Sequence, residues 1–282
     1  MDFLKKLPDG TITQDNVQSY GEDAYLHTGM YTFQTGPEGN RQPVEARFSY
    51  MWRKVDGDWK IVHHHSSALP KQAATAEVEL SSEDMYPIAQ ASQASSSRVG
   101  STRWFCREFA QSDCLPNHSA ILTYMSQDNF KRWNDALVEK DYEKVASLYS
   151  STDLSFLPTV SPKFIRDGQS TREYFINFLK KLPEGTITQD NVQKYGSDAY
   201  LHTGLYTFQT GPEGNRQPVE ARFSYMWRKI DGVWKITHHH SSALPKDPAA
   251  AVEEVQAEDM YPVAQVCRPA SCRQRKRPLS SA

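Results

Sequence analysis

The chain has 282 residues, 38% of them hydrophobic and 11% aromatic, with a formal net charge of −2. That length predicts about two domains with ordinary globular cores, and the near-neutral charge argues against a nucleic-acid partner. No apolar run approaches the ~20 residues that span a bilayer, and Met1 opens onto repeat sequence without a basic and apolar leader. The expectation is a cytoplasmic protein with no membrane partner.

Residues 3–71 and 178–246 are one sequence written twice. A shift of 175 positions aligns 69 residues without a gap, and 62 of them are identical. The spacing far exceeds the roughly 20–50 residues of a stacking repeat, so each copy is expected to be a folding unit or a piece of one. Three differences conserve volume or charge: Met30/Leu205, Val55/Ile230 and Asp9/Glu184. Four change polarity at positions expected to be exposed: Ser19/Lys194, Glu22/Ser197, Asp58/Val233 and Val62/Thr237.

In chain order, residues 1–71 read as an incomplete unit holding the sheet portion alone. Residues 72–125 follow as a linker, in which Trp104, Phe105 and Phe109 could cap exposed apolar surface. Cys106, Cys114, Cys267 and Cys272 all lie outside the repeated block, at spacings that match no strong zinc pattern, so no metal or other cofactor is expected. Asn117-His118-Ser119 is a formal glycosylation sequon, relevant only to a secreted chain.

Residues 126–246 read as a complete unit. Ser126 is the expected N-cap of a helix carrying Phe130, Trp133 and Leu137 on one face. A short helix fits Tyr142 to Tyr149, and a short strand fits Leu154 to Pro158. Ser170 with Glu173 reads as a capping box for a third helix with Tyr174, Phe175, Phe178, Leu179 and Leu182 on its buried stripe, ended by Pro183-Glu184-Gly185. Four strands are then expected: Thr186 to Tyr195, Ala199 to Gln209, Pro218 to Lys229 and Trp234 to Ala243. The loops at 211–215 and at Asp231-Gly232 should close two hairpins. In the third of these strands Val219, Ala221, Phe223, Tyr225 and Trp227 alternate with Glu220, Arg222, Ser224 and Arg228. Helices followed by long antiparallel strands predict an α+β fold in which a curved sheet wraps a helix. Residues 247–282 read as an acidic and then basic tail, and its Arg273–Arg277 run, RQRKR, also fits a nuclear-import or anionic-surface patch.

The stretches ALVEKDYEKVASLY, FLPTV, REYFINFL and ARFSYMWRKIDGVWKITHHHSSALP carry a resemblance. The most specific element is W-x3-DG-x-W-x-I-x-H-x-H-x4-P, present at 227–245 and again at 52–70. The chain resembles the NTF2-like superfamily, in the branch holding the association (hub) domain of calcium/calmodulin-dependent protein kinase II; SnoaL-like proteins are further relatives. The resemblance implies a cone-shaped α+β unit, here duplicated, that self-associates through its sheet into at least a dimer. The first copy lacks two helices, a strand and most of a third helix. Either about 50 residues with a copy of 126–177 precede Met1, or the half-domain is covered by another chain or by residues 92–125.

A kinase reading is dismissed: no G-x-G-x-x-G, V-A-I-K lysine, H-R-D loop or D-F-G stands in the chain. The expected pocket residues are Tyr206, Tyr225, Trp227, His238, His240 and Ser241, with first-copy equivalents Tyr31, Tyr50, Trp52, His63, His65 and Ser66. Because strand side chains alternate, His238 and His240 are expected on one face and the middle imidazole on the other; one run cannot supply a three-histidine metal site. The resemblance to the hub implies a pocket with arginines where this chain has Tyr206, Tyr225 and Ser241, so a small neutral ligand fits better than a carboxylate. An alternative is a small SnoaL-like or ketosteroid isomerase-like enzyme using His238 or His240 as base beside a tyrosine donor.

Overall fold

The computed structural model describes residues 9–70 and 118–244. Four long strands come first: β1 (Asp9–Ser19), β2 (Ala24–Thr35), β3 (Gln42–Val55) and β4 (Asp58–Ala68). They form an antiparallel meander in the order β1-β2-β3-β4. Three helices and a short strand precede the same meander in the second half: α1 (His118–Val138), α2 (Tyr142–Ser147), β5 (Ser155–Leu157) and α3 (Gly168–Phe178). Then come β6 (Glu184–Tyr195), β7 (Ala199–Thr210), β8 (Gln217–Ile230) and β9 (Val233–Ala243), in a sheet ordered β5-β9-β8-β7-β6. The fold is α+β, with two curved sheets. The capping segment proposed around Trp104, Phe105 and Phe109, the cysteines and the basic tail lie outside the described residues.

Turn chemistry accounts for the hairpins. Asp56-Gly57 and Asp231-Gly232 both take positive φ (52° and 90°; 50° and 81°), the two-residue geometry whose twist matches that of the flanking strands. β6 carries a bulge between Ile187 and Gln189, and β1 one between Ile12 and Gln14. Gly204 faces the first of these so closely that a Cβ there would sit 2.0 Å from the Gln189 carbonyl oxygen.

Two helix starts differ from the sequence expectation. α1 begins at His118, and Ser126 lies inside it, its hydroxyl bonded back to the Thr123 carbonyl at 2.8 Å. α3 is capped by Asp167, whose carboxylate accepts the Ser170 N–H at 2.7 Å; Ser170 is the third helical residue and not the cap. The aspartate wins because its charged acceptor bonds both the backbone N–H and the hydroxyl of Ser170.

The helices fill the concave face of the second sheet. Trp133, Ala136, Leu137, Val145, Phe175 and Phe178 pack with Tyr206, Phe208, Phe223, Tyr225, Trp227 and Ile236 in one buried cluster. At roughly 1.5–3 kcal/mol per large side chain removed from water, this layer supplies most of the unit's stabilisation. The first sheet has the same inner face, with no helix on it among the described residues. There Tyr50 and Trp52 are half-buried and Trp59 is 43% exposed.

The outer faces of the two sheets pack on each other around an approximate twofold axis. Tyr20, Ala24, Leu26 and Met51 meet their counterparts Tyr195, Ala199, Leu201 and Met226 in one cluster. Arg53 stacks over Tyr195 and Arg228 over Tyr20, both at 5.6 Å. Thr237, expected on an exposed surface, is fully buried in this seam, where its hydroxyl meets that of Tyr20 at 3.1 Å.

The close approach at Gly204 is testable. Gly204→Ala must push the β6 bulge away and is expected to cost about 3 kcal/mol or more. Gly168→Ala, where the new carbon meets nothing nearer than 3.7 Å, is expected to be neutral or stabilising. Urea denaturation of both variants checks the contrast.

Candidate functional site

Strand parity decides which side chains enter the cone. On β8, Phe223, Tyr225 and Trp227 point inward, as alternation predicts. On β9 a bulge between Met226 and Trp227 of the partner strand shifts the register: Trp227 pairs with Ile236, but Met226 pairs with His238. Thr237 is the extra residue, so His239 and Ser241 face inward and His238 and His240 face the other sheet. Plain alternation from Ile236 places the imidazoles on the opposite faces. His63 and His65 likewise face the seam, while His64 stacks on Tyr50 at 4.3 Å.

Inside the cone, Tyr206 and Ser241 are hydrogen-bonded through their hydroxyls, and Thr159 bonds the same serine. Tyr31 and Ser66 repeat the contact in the first unit. His239 is buried among Trp133, Tyr149, Phe156 and Tyr225, stacked on Tyr225 at 4.1 Å and on Phe156 at 4.9 Å. Trp133 Nε1 donates to the Tyr149 hydroxyl (3.1 Å), which therefore has its own proton to give to His239 Nδ1 (2.9 Å). This network assigns the imidazole proton to Nε2, and that atom and Trp227 Nε1 are buried without a partner. Desolvation holds His239 well below its usual pKa, with His238 adding to the effect. The interior is a neutral aromatic core in which these two N–H groups are left without acceptors. Among the described residues no group of three His, Cys, Asp or Glu is arranged to hold a metal.

A cavity of about 500 Å³ opens beside α3 and is lined by Thr159, Ile165, Tyr174 and Phe178 together with Lys163 and Lys181.

One pair escaped the sequence reading. His202 Nε2 and the Asp190 carboxylate lie 2.9 Å apart across the β6–β7 hairpin, and Asp15 with His27 repeats this at 2.9 Å. Desolvation lowers the His202 pKa against the opposing pull of Asp190. The signal was an Asp and a His twelve residues apart on facing strands, present in both copies.

The seam between the sheets holds His63, His65, His238 and His240. His65 and His240 stack face to face, centroids 3.7 Å apart and 8° from parallel. His240 is held between Ser49 and Ser67, His65 between Ser224 and Ser242, all at 2.9 Å. Burial depresses both rings far below the usual imidazole value; His63 falls to about 4 and His238 to about 3, again chiefly by desolvation. Arg47 is buried at the same seam, donating to the carbonyl oxygens of Pro158, Ser161 and Ser241 and to the Ser67 hydroxyl. Desolvation lowers its pKa to about 10, which leaves it cationic at neutral pH.

The sequence pattern of the calcium/calmodulin dependent protein kinase II association domain matches residues 4–70 and 127–245. The chain belongs to that family. A solved association-domain structure from Xanthomonas campestris, described as putative, is 36% identical, covering 44% of this chain and 88% of that one, with a TM-score of 0.42. A structure described as a putative dehydratase of the NTF2-like family from Streptomyces avermitilis is 16% identical, covering 46% of this chain and 99% of that one (TM-score 0.40). An NTF2-like superfamily protein from Salmonella enterica is 19% identical, covering 47% and 98% (TM-score 0.40). No curated protein sequence matches the chain. For this association-domain chain, no described helix is long and apolar enough to cross a membrane.

The buried imidazoles set a pH dependence. Their folded-state values lie below 6.5, so on acidification the unfolded chain binds protons first. Stability is therefore intact above about pH 6.5 and falls as the pH drops toward 4, by about 1.4 kcal/mol per pH unit for each histidine kept neutral. Thermal melts between pH 7.5 and 4.5 are expected to show this loss, and replacing His65 and His240 together by Gln is expected to make it shallower, His63, His238 and His239 keeping the rest.

Proposed function

We propose that the chain is a self-association module whose pairing surface is the outer face of its sheet. The observation that carries this reading is the seam itself. Residues 175 positions apart meet across it in matched pairs, as in an interface formed by two copies of one surface. A complete unit alone presents Leu201, Met226, Tyr195 and His240 on that face, and an apolar patch of this kind drives dimerisation. The aromatic inner face of the first sheet, which no helix covers among the described residues, favours association of whole chains into at least a dimer.

A small neutral ligand in the cone fits the same reading. The unpartnered Nε2 of His239 and Nε1 of Trp227 would donate to an acceptor such as a carbonyl, beside the neutral rings of Trp133, Tyr149 and Tyr225. The enzyme alternative loses support, because His238 and His240 bond serines outside the cone and the basic Nδ1 of the interior His239 is already taken by the Tyr149 hydroxyl.

Light scattering on residues 118–246 and on the full chain tests the proposal. The fragment is expected at twice its monomer mass at micromolar concentration, and Leu201→Arg, which buries an unpaired charge in the seam, at single mass. A wild-type fragment at single mass overturns the association reading. In the full chain, Leu26→Arg is expected to expose the β1–β4 sheet to protease without unfolding residues 118–244.

A further inference from the structure

Besides the helices, the approximate twofold relation also fails beside β4, and the other half shows what belongs there. In the half that is filled, β5 runs parallel to β9, pairing Ser155, Phe156 and Leu157 with His238, His239 and His240. The chain then turns over the edge of the first sheet. The carbonyls of Pro158 and Ser161 accept from Arg47, and Arg166 donates to the Asp15 carbonyl and to Asn16 Oδ1 at 2.6 Å. One segment, 155–166, thus supplies an edge strand, two acceptors and one cation.

In the other half every receiving group has its counterpart 175 positions away. β4 is an edge strand with β3 as its only hydrogen-bonded neighbour among the described residues, so His63–His65 present the edge that β5 covers at His238–His240. Beside that edge lies a cavity of about 440 Å³. Its walls include His63, His65, Ser66, Asp190, Asn191 and Arg222. Arg222 stands where Arg47 does, and Asp190 and Asn191 stand where Asp15 and Asn16 do.

We propose that this cleft is an acceptor site for an extended peptide of the β5 type: a short apolar strand, then a proline turn with free carbonyls, then a basic residue. The peptide adds as a parallel strand to β4, offers its turn carbonyls to the Arg222 guanidinium and its cation to Asp190 and Asn191. The filled half identifies the chemistry of the occupant, because the same side chains there already hold such a segment. The open edge alone is a surface that folded proteins normally cover. The inference is independent of the self-association reading, and its test does not use the oligomeric state.

The probe is a labelled synthetic peptide with the sequence of Leu154–Arg166, titrated into the full chain and followed by fluorescence anisotropy, with hydrogen exchange locating it. Saturable binding below about 1 mM and new protection at residues 61–66 are expected. Arg222→Met, checked for an unchanged melting temperature, is expected to weaken binding at least tenfold. A second comparison needs no protein variant. In the resident segment the Phe156 N–H bonds the Ile165 carbonyl at 2.8 Å, so by alternation the Leu157 N–H faces the sheet edge. A peptide N-methylated at Leu157 should bind at least tenfold more weakly than the parent. No binding, protection over 236–241 in place of 61–66, or equal affinity for the N-methylated peptide would each overturn the proposal.

Discussion

The seam between the two sheets is the contact on which the arrangement depends, and its centre is polar. Two neutral imidazoles lie flat against each other, each clamped by two serine hydroxyls from the opposite sheet. Rings at 3.7 Å cannot both carry charge in a desolvated seam, so the packing enforces neutrality and the hydroxyls accept the remaining duty of satisfying four ring nitrogens. The apolar pairs around them, Leu26 with Leu201 and Met51 with Met226, supply burial, while the histidine–serine lattice sets register. A slip by one residue would present the opposite face of every strand and leave those nitrogens unpaired.

Duplication explains why such a seam arises within one polypeptide. A surface that pairs with its own copy needs no new complementarity when the copy is fused to it, and tethering raises the effective concentration of the partner to a high value. Once fused, the two sides are free to differ. Val62 and Thr237 are such a case: Thr237 bonds Tyr20, whereas the equivalent Tyr195, facing Val62, bonds Gln193 on its own strand. A polarity change that reads as surface drift in the sequence is an adjustment of a buried contact.

Identical segments in different surroundings also show how far local sequence governs environment. Tyr225 and His239 lie under α1 and α3 in a buried aromatic core; Tyr50 and His64 form the same stacked pair on a face that those helices do not cover. The strands and their pairing are the same in both, because register follows from turn geometry and side-chain alternation. Burial, hydrogen bonding and proton affinity differ, because these depend on the layer packed on top.

Much was therefore legible in the sequence: the duplication, the α+β class, the two-residue turn at Asp231-Gly232 and the inward stripe Phe223-Tyr225-Trp227. Each follows from short-range periodicity or from a motif shared with the association-domain family. The facing of the three histidines was not, since a single extra residue at Thr237 reverses their parity and nothing in the composition of the strand marks a bulge. Nor was the pairing of the two sheets within one chain, the burial of Arg47 against the Pro158–Ser161 turn, or the Asp190–His202 contact. These join residues from 12 to nearly 200 positions apart, and only the three-dimensional packing of the sheets brings such groups within hydrogen-bond reach.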